Sequence, residues 1–215
     1  MANVSLNPPA PAVDPAIIAA FRDATTPSIS DNLDRLPGLV GLRPFHRGGK
    51  LVGTAFTVQV RSGDNLAIHQ ALNEVRPGDV LVVAGGGDTS RALVGDIMKA
   101  IAESRGCAGF VIDGAIRDSG IFAASDFPCY ARAAIHRGPY KQGPGATNIP
   151  VSIGGWTVDP GDVVVGDEDG VVTFPASIAS SLIEAVRAQD QREAEVLQMI
   201  REGRYDGRYG KVPAR

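Results

Sequence analysis

Short apolar runs, too brief for helices and closed by glycine or proline, alternate along this chain with stretches of helical spacing. That alternation restricts it to a mixed α/β fold. Asp79 to Ala84 is one such run, entered through Pro77-Gly78 and ended by Gly85-Gly86-Gly87, and Phe110-Val111-Ile112 is another. Between them Val94, Ile97, Met98 and Ile101 fall on one helical face, with Gly106 as the stop. Leu51 to Val60, rich in Val, Thr and Phe, predicts a longer strand. Cys129 to Ala134, Val151 to Ile153, Val163 to Val165 and Val171 to Phe174 predict further short strands. Helices are expected from Asp14-Pro15 across Ile17, Ile18 and Phe21, from Ser28 to Leu36, and from Asn65 to Val75. A last, long amphipathic helix is expected from Ala176 to about Glu202, introduced by Pro175.

No linker divides this series, so one domain over 16–215 is expected. It follows a loose arm over 1–15, whose Asn7-Pro8-Pro9-Ala10-Pro11 cannot form helix or sheet. With 215 residues, 44% of them hydrophobic, the chain has ample material for a buried core. Lys and Arg number 21 against 24 Asp and Glu, and no basic tract offers an electrostatic footprint for nucleic acid. No apolar run approaches the roughly 20 residues of a membrane span. The polar N-terminus lacks the apolar stretch of a secretory signal, so the expected location is the cytoplasm. Cys107 and Cys129 match no zinc spacing and read as buried free thiols. The echo between Arg76-Pro77-Gly78-Asp79 and Asp159-Pro160-Gly161-Asp162 is explained by a turn leading into a buried strand.

Chemistry concentrates in two places. Gly114-Ala115-Ile116-Arg117-Asp118 reads as a loop following the strand Phe110 to Asp113, and active residues of α/β proteins often lie just past strand ends. Arg117 brings a forked, permanently charged donor suited to a carboxylate or an oxyanion. Asp118 brings a hard oxygen suited to Mg²⁺ or Mn²⁺. A solvated charge pair on a surface turn would look the same. Gly95-Asp96 is the second place, where a starting helix would aim free N–H groups at an anion. An ordinary helix with Asp96 on its wet face is the plainer reading.

Twenty residues separate Asp96 from Arg117, with Asp118 next. This Asp-x20-Arg-Asp arrangement resembles the class II pyruvate aldolases of the RraA-like family. So do Gly63-Asp64-Asn65-Leu66-Ala67-Ile68-His69, Arg105-Gly106-Cys107-Ala108-Gly109, Val111-Ile112-Asp113-Gly114, Asn148-Ile149-Pro150-Val151 and Pro160-Gly161-Asp162-Val163-Val164. The resemblance spans roughly Asp31 to Phe174. It implies a layered α/β/β/α sandwich with a swivelling-domain-like core, assembled as a homotrimer or a hexamer. It also implies cleavage of a 4-hydroxy-2-oxo acid, 4-hydroxy-4-methyl-2-oxoglutarate or 4-carboxy-4-hydroxy-2-oxoadipate, to pyruvate and a second oxo-acid, with oxaloacetate decarboxylation beside it. Asp118 would ligate the divalent cation, Mg²⁺ or Mn²⁺, and Asp96 would hold a water of that site. Arg117 would contact the pyruvyl oxygens, and the N–H groups of Gly95, Asp96, Ile97 and Met98 would cradle the substrate carboxylate. Asp31 and Glu193 are the candidates for acids supplied by a neighbouring subunit.

Three rivals stand beside this. A Schiff-base aldolase needs a desolvated lysine, and Lys50, Lys99, Lys141 and Lys211 all lie in turns, loops, the terminus or off an apolar stripe. A protein-binding regulator of a ribonuclease is the non-enzymatic branch of the same family, and it lacks the acidic-Arg-Asp set. A methyltransferase would need a methyl-donor loop, which Gly85-Gly86-Gly87 does not complete. His46, His69 and His136 show no metal-ligand spacing, and His69 reads as a packed histidine. Pocket walls are expected on the loops Gly38 to Arg47 and Gly85 to Arg91.

Overall fold

The elements follow in chain order as β1 (Val4–Ser5), α1 (Pro15–Ala20), α2 (Thr26–Asp31), β2 (Arg43–Pro44), β3 (Leu51–Val60), α3 (Leu66–Ala71), β4 (Asp79–Ala84), β5 (Ala92–Val94), α4 (Asp96–Ser104), β6 (Gly109–Ile116), α5 (Ser119–Ala123), β7 (Cys129–Ala134), β8 (Gly145–Thr147), β9 (Val151–Ile153), β10 (Trp156–Val158), β11 (Val163–Asp167), β12 (Gly170–Phe174), a 3-10 turn over Ala176–Ile178, and α6 (Ala179–Arg201). They are seen in a computed structural model that describes residues 4–207 and Tyr209.

β3, β4, β6 and β7 lie side by side in parallel. β4 is apolar on both faces because both are covered. Leu81 and Val83 face a core built with Ile68, Met98 and Phe122 from helices α3, α4 and α5 and with Leu72 just after α3. Val80 and Val82 face a second core containing Tyr130, Ile153, Val164 and Val171. β3 is the strand at which the sheet folds over, since β11 pairs with its Leu51–Thr54 half and β8 with its Val58–Val60 half. β11 and β12 thereby pack against the centre of their own sheet, and the Tyr130 hydroxyl bridges the two layers by donating to the Asp167 carbonyl at 3.0 Å. Their outer face, Val163, Val165, Val172 and Phe174, buries against Phe21, Leu182, Ile183 and Val186 of the first and last helical segments. Helices, sheet, folded-over sheet and helices form the expected layered α/β sandwich.

The Pro-Gly-Asp echo is a shared turn. Asp79 accepts the N–H of Arg76 at 2.8 Å and Asp162 that of Asp159 at 3.0 Å, with Gly78 and Gly161 at φ of 85° and 90° between them. Both cysteines are buried, and burial pushes the Cys107 thiol up to about 11 and the Cys129 thiol up as well.

Several expectations are corrected. Val4–Ser5 pairs with Gly145–Ala146, Asn7 donates to Thr147 at 3.2 and 2.8 Å, and buried Val13 donates to Thr54 at 3.0 Å. Residues 4–13 are therefore docked rather than a loose arm: the prolines can donate no ladder bond, but Val4–Ser5 ahead of them pairs as a strand, and Asn7 and Val13 on either side hold through side-chain hydrogen bonds. Helix α2 begins at Thr26, before Ser28, because Thr25 caps it and Pro27 sits in its first turn. It ends at Asp31, before Leu36, where Asp34 and Arg35 turn left-handed. Val94 belongs to β5 and not to the following helix. β6 runs on through Ile116, so Gly114 to Ile116 are strand and not loop. Among the described residues no helix is long and apolar enough to cross a membrane.

Candidate active site

β5 and β6 are parallel neighbours, with Ala92 beside Ala115 and Val94 beside Ile116. The residues that follow each strand, Gly95-Asp96 and Arg117-Asp118, therefore leave the sheet at one edge. The Arg117 N–H donates to the Val94 carbonyl at 3.0 Å and fixes the two exits together. A twenty-residue gap is what the helix α4 and strand β6 occupy between those exits. Sequence spacing thus became spatial contact through a strand–helix–strand crossover.

Asp118 sits in the left-handed region, at φ 53° and ψ 36°, which a short polar side chain tolerates. Its carboxylate turns back so that Oδ2 accepts the Asp96 N–H at 3.1 Å and lies 3.5 Å from Arg117 Nε. Gly95 is required by space rather than by φ. A Cβ there would stand 2.5 Å from Asp118 Oδ2 and 2.9 Å from Arg117 Cγ. Asp96 Oδ1 accepts the Ile97 N–H at 2.7 Å. Two amides of the proposed cradle, at the N-terminus of the nine-residue α4, are thus partnered by the chain's own carboxylates. They are donors that seek an anion.

Arg117 separates two clefts. One holds about 260 Å³ and is lined by Gly95, Ile97, Met98 and Arg117 together with Asn65, His69 and a wall of Gly138, Pro139 and Lys141. The other is open and contains Asp118 and His136. Met98 is buried, whereas Ile97 is 64% exposed, so the two do not share the apolar face expected of them. Neither loop expected to wall the pocket lines this cavity. Gly38 to Leu42 borders a separate groove, and the glycine loop is tied to an ion pair whose carboxylate is buried: Gly87 donates to Asp113 at 3.0 Å, and Asp113 binds partly exposed Arg132 at 2.5 Å.

Asn65, His69 and Lys141 escaped the sequence reading as cavity residues. Asn65 is 3% exposed and donates to the Leu93 carbonyl at 2.9 Å, while its Oδ1 has no partner among the described residues. His69 follows four residues later, on the same helical face, and that spacing was a usable signal. Partial burial, then the nearby charge of Lys141, hold its pKa below the usual value, leaving the ring neutral at pH 7. Lys141 reaches the cavity on a loop that no periodicity announces. Lys99, read as lying off the apolar stripe, is 7% exposed; its amine binds Glu103 at 2.6 Å and lies 5.5 Å from the Phe127 ring. Lys50 binds the Ala24 carbonyl and lies 3.6 Å from Asp167.

Asp31 and Glu193 are brought to each other rather than to Asp118. Gln189 bridges them, donating to Asp31 at 3.3 Å and to Glu193 at 2.9 Å, and neither acid lines either cleft. Among the described residues no three His, Cys, Asp or Glu side chains gather as a metal cage. The partly exposed Asp118 carboxylate, which accepts the Asp96 N–H, is the hard oxygen that could hold Mg²⁺ here, a cation that keeps several waters and needs only one or two carboxylates.

The chain resembles known proteins over most of its length. A protein of Halalkalibacterium halodurans named "Putative 4-hydroxy-4-methyl-2-oxoglutarate aldolase" is 42% identical over 171 residues, covering 79% of this chain and 81% of that one. The solved structure of an uncharacterized Pseudomonas syringae protein superposes with a TM-score of 0.80 at 30% identity, over 90% of this chain and 96% of the other. A Streptomyces coelicolor structure, described as an unusual member of the RNase ES inhibitor RraA protein family, also gives 0.80, at 29% identity over 86% and 98%. The family model described as RraA-like, Aldolase/RraA, matches residues 26–173, and the chain belongs to the RraA-like family.

Proposed function

We propose that this chain is a divalent-metal-dependent pyruvate aldolase, acting as a single catalytic domain of the cytoplasm. Its substrates are 4-hydroxy-2-oxo-dicarboxylic or tricarboxylic acids, 4-hydroxy-4-methyl-2-oxoglutarate or 4-carboxy-4-hydroxy-2-oxoadipate. The observation that carries this reading is the convergence of Asp96, Arg117 and Asp118 at the adjoining ends of β5 and β6. The name of the Halalkalibacterium relative supports it.

Asp118, with Asp96 beside it, would hold Mg²⁺ or Mn²⁺. When bound, such a cation supplies electrophilic stabilisation of negative charge on the pyruvyl oxygens. The substrate carboxylate takes the amides at the start of α4 in place of Asp118 Oδ2 and Asp96 Oδ1. The Arg117 guanidinium faces the pyruvyl oxygens. A base, a water oriented by Asp96, removes the proton of the 4-hydroxyl, whose oxygen becomes a carbonyl as the C3–C4 bond breaks. The electron pair passes to pyruvate enolate, and protonation at C3 completes pyruvate. Arg117 opposes the charge that develops on the enolate oxygen. The same enolate follows loss of CO₂ from oxaloacetate, which makes decarboxylation a side reaction of one site.

Asp31 and Glu193 belong to this proposal as acids presented to a neighbouring subunit's site, in a trimer or a pair of trimers. Their joint position on α2 and α6, away from the chain's own clefts, supports that placement. The non-catalytic reading, a ribonuclease regulator, draws on the Streptomyces neighbour. Pyruvate release should be abolished by EDTA and restored by Mg²⁺ or Mn²⁺. Full activity in EDTA, with borohydride trapping substrate on a lysine, would replace the metal mechanism with a Schiff base. No turnover of any 4-hydroxy-2-oxo acid, together with inhibition of a ribonuclease, would establish the regulator.

A further inference from the structure

Gly138 is wedged between two guanidinium groups. Its carbonyl accepts from Arg91 Nη1 at 2.9 Å, and a Cβ on it would stand 3.4 Å from Arg117 Nη1 on the cavity side. The second fork nitrogen of Arg91, Nη2, donates to the Tyr140 hydroxyl at 2.9 Å. The Arg91 Cζ lies 4.1 Å from the centroid of the Tyr140 ring, and Arg61 approaches the same ring at 5.6 Å. Arg91 can lie there because Gly63, at φ 68°, leaves room: a Cβ on Gly63 would stand 3.0 Å from Arg91 Cδ.

The segment these contacts hold is the outer wall of the cavity, Gly138, Pro139 and Lys141. Its ends are fastened by backbone. The Ala92 N–H donates to the Arg137 carbonyl at 2.9 Å, and the Tyr140 N–H to the Gly63 carbonyl at 2.8 Å. Buried Asp64 accepts the N–H groups of Gln142 and Gly143 at 2.7 and 3.0 Å. The Gly138 carbonyl, between these anchors, relies on the Arg91 side chain.

We propose that Arg91, acting with Tyr140, is a positioning residue that holds the Gly138–Lys141 wall against Arg117 and so sets the grip on the part of the substrate beyond its pyruvyl end. This rests on the aldolase reading. This reading places the pyruvyl end at the start of α4 and at Arg117, whose backbone is tied to Val94 without help from the wall, and leaves Lys141 as the wall's cation for a second carboxylate. Losing the Arg91 fork therefore weakens binding of the longer acid while sparing chemistry that needs only pyruvate. Loss of the two charge-assisted donations that hold the wall is expected to read as about a tenfold weaker grip on the longer acid.

The test compares the parent with Arg91→Met, Arg91→Lys and Tyr140→Phe. Four quantities are read: pyruvate methyl-proton exchange in D₂O, kcat and KM for aldol cleavage, the thermal melt, and amide hydrogen exchange over 137–143. Arg91→Met should raise KM about tenfold with kcat within threefold, leave proton exchange on pyruvate unchanged, and speed amide exchange in that segment. Arg91→Lys and Tyr140→Phe should fall between it and the parent. An Arg91→Met enzyme with parental KM and parental amide exchange overturns the proposal. So does a parallel fall in kcat, pyruvate exchange and melting temperature, which marks a merely structural residue. If the parent catalyses neither aldol cleavage nor pyruvate exchange, the aldolase reading fails by itself, and the amide exchange of the variants still decides whether Arg91 clamps the wall.

Discussion

Asp118 reaches back across the ends of two parallel strands to accept the backbone N–H of Asp96 at 3.1 Å, from 22 positions further along the chain. The contact exists because nothing stands between them: Gly95 presents no side chain to the Asp118 carboxylate or to Arg117 Cγ. Gly95→Ala should therefore displace both functional side chains. Overpacking of this kind costs about 1–3 kcal/mol of stability. We expect the melt to fall by a few degrees and pyruvate release to fall at least a hundredfold, as roughly 1 Å misplacements do. Steady-state kinetics beside a thermal melt would check it, and a variant with more than half the parental kcat/KM would contradict it.

Oxaloacetate should be decarboxylated by the same preparation that cleaves the aldol. In the proposed mechanism both reactions deliver electrons into pyruvate enolate, so Arg117 would meet the same developing charge. The comparison is oxaloacetate loss with enzyme and Mg²⁺ against Mg²⁺ alone. An aldolase-active protein that leaves oxaloacetate at the metal-only rate would separate the two reactions.

Asp64 makes a pH-dependent contribution to stability. Burial works against its charge. The N–H groups of Leu66, Gln142 and Gly143 and the charge of Arg61, 3.1 Å away, more than offset this and hold its carboxyl below the usual range. A depressed folded pKa means that, as pH falls, the unfolded chain binds this proton first. The contribution is then complete above the ordinary carboxylate pKa, about 3.9, and is lost as pH falls through the folded value. Asp64→Asn should cost about 1–3 kcal/mol at pH 7, since its amide cannot accept all those donors. The gap in urea midpoints between parent and variant should narrow below about pH 4. A gap that stays constant from pH 7 to pH 3 would show that charge has no part in it.

Much of the fold is legible in the sequence where one residue type dictates one environment. β3 and β4 fall on their predicted bounds because continuous apolar or β-branched runs need two covered faces, and β7 falls on its bounds although only its first half is buried. The pattern misleads where tertiary contacts decide. Val94 looks like the first apolar residue of a helix, yet its backbone pairs with Ile116. Lys99 looks exposed by type, yet its stem is buried beside Phe127. The strands that the pattern leaves out, β1, β2, β5, β8 and β10, have two or three residues each, too few for a period to register. Asp96, Arg117 and Asp118 were singled out through the family resemblance, and they come together in space because one strand–helix–strand unit joins them. Lys141 and Gly138 were not singled out, because a loop brings them over the cavity and its course depends on Asp64 and Arg91.

Arg117→Lys should lose far more activity than the retained charge suggests. Arg117 emerges directly from β6, is tied by its backbone to Val94 at 3.0 Å, and has its Nε 3.5 Å from Asp118. Its planar fork thus offers parallel N–H donors from a fixed base, on the border of the cavity and the Asp118 cleft. Lysine would present one mobile ammonium on a flexible stem and could not reproduce that pair of donors. Losing one aligned donor to a developing oxyanion costs roughly 2.7–4 kcal/mol, or about 10²–10³ in rate. Enolate charge appears chiefly beyond the ground state, so kcat should fall with kcat/KM, not KM alone rise. The side chain is 42% exposed, so its replacement should leave the thermal melt close to the parent's. The decisive measurement is pyruvate release by the variant at saturating and at low substrate, beside that melt. A variant that melts like the parent and keeps more than about half of its kcat/KM would remove Arg117 from the chemistry and leave it a surface partner of Asp118.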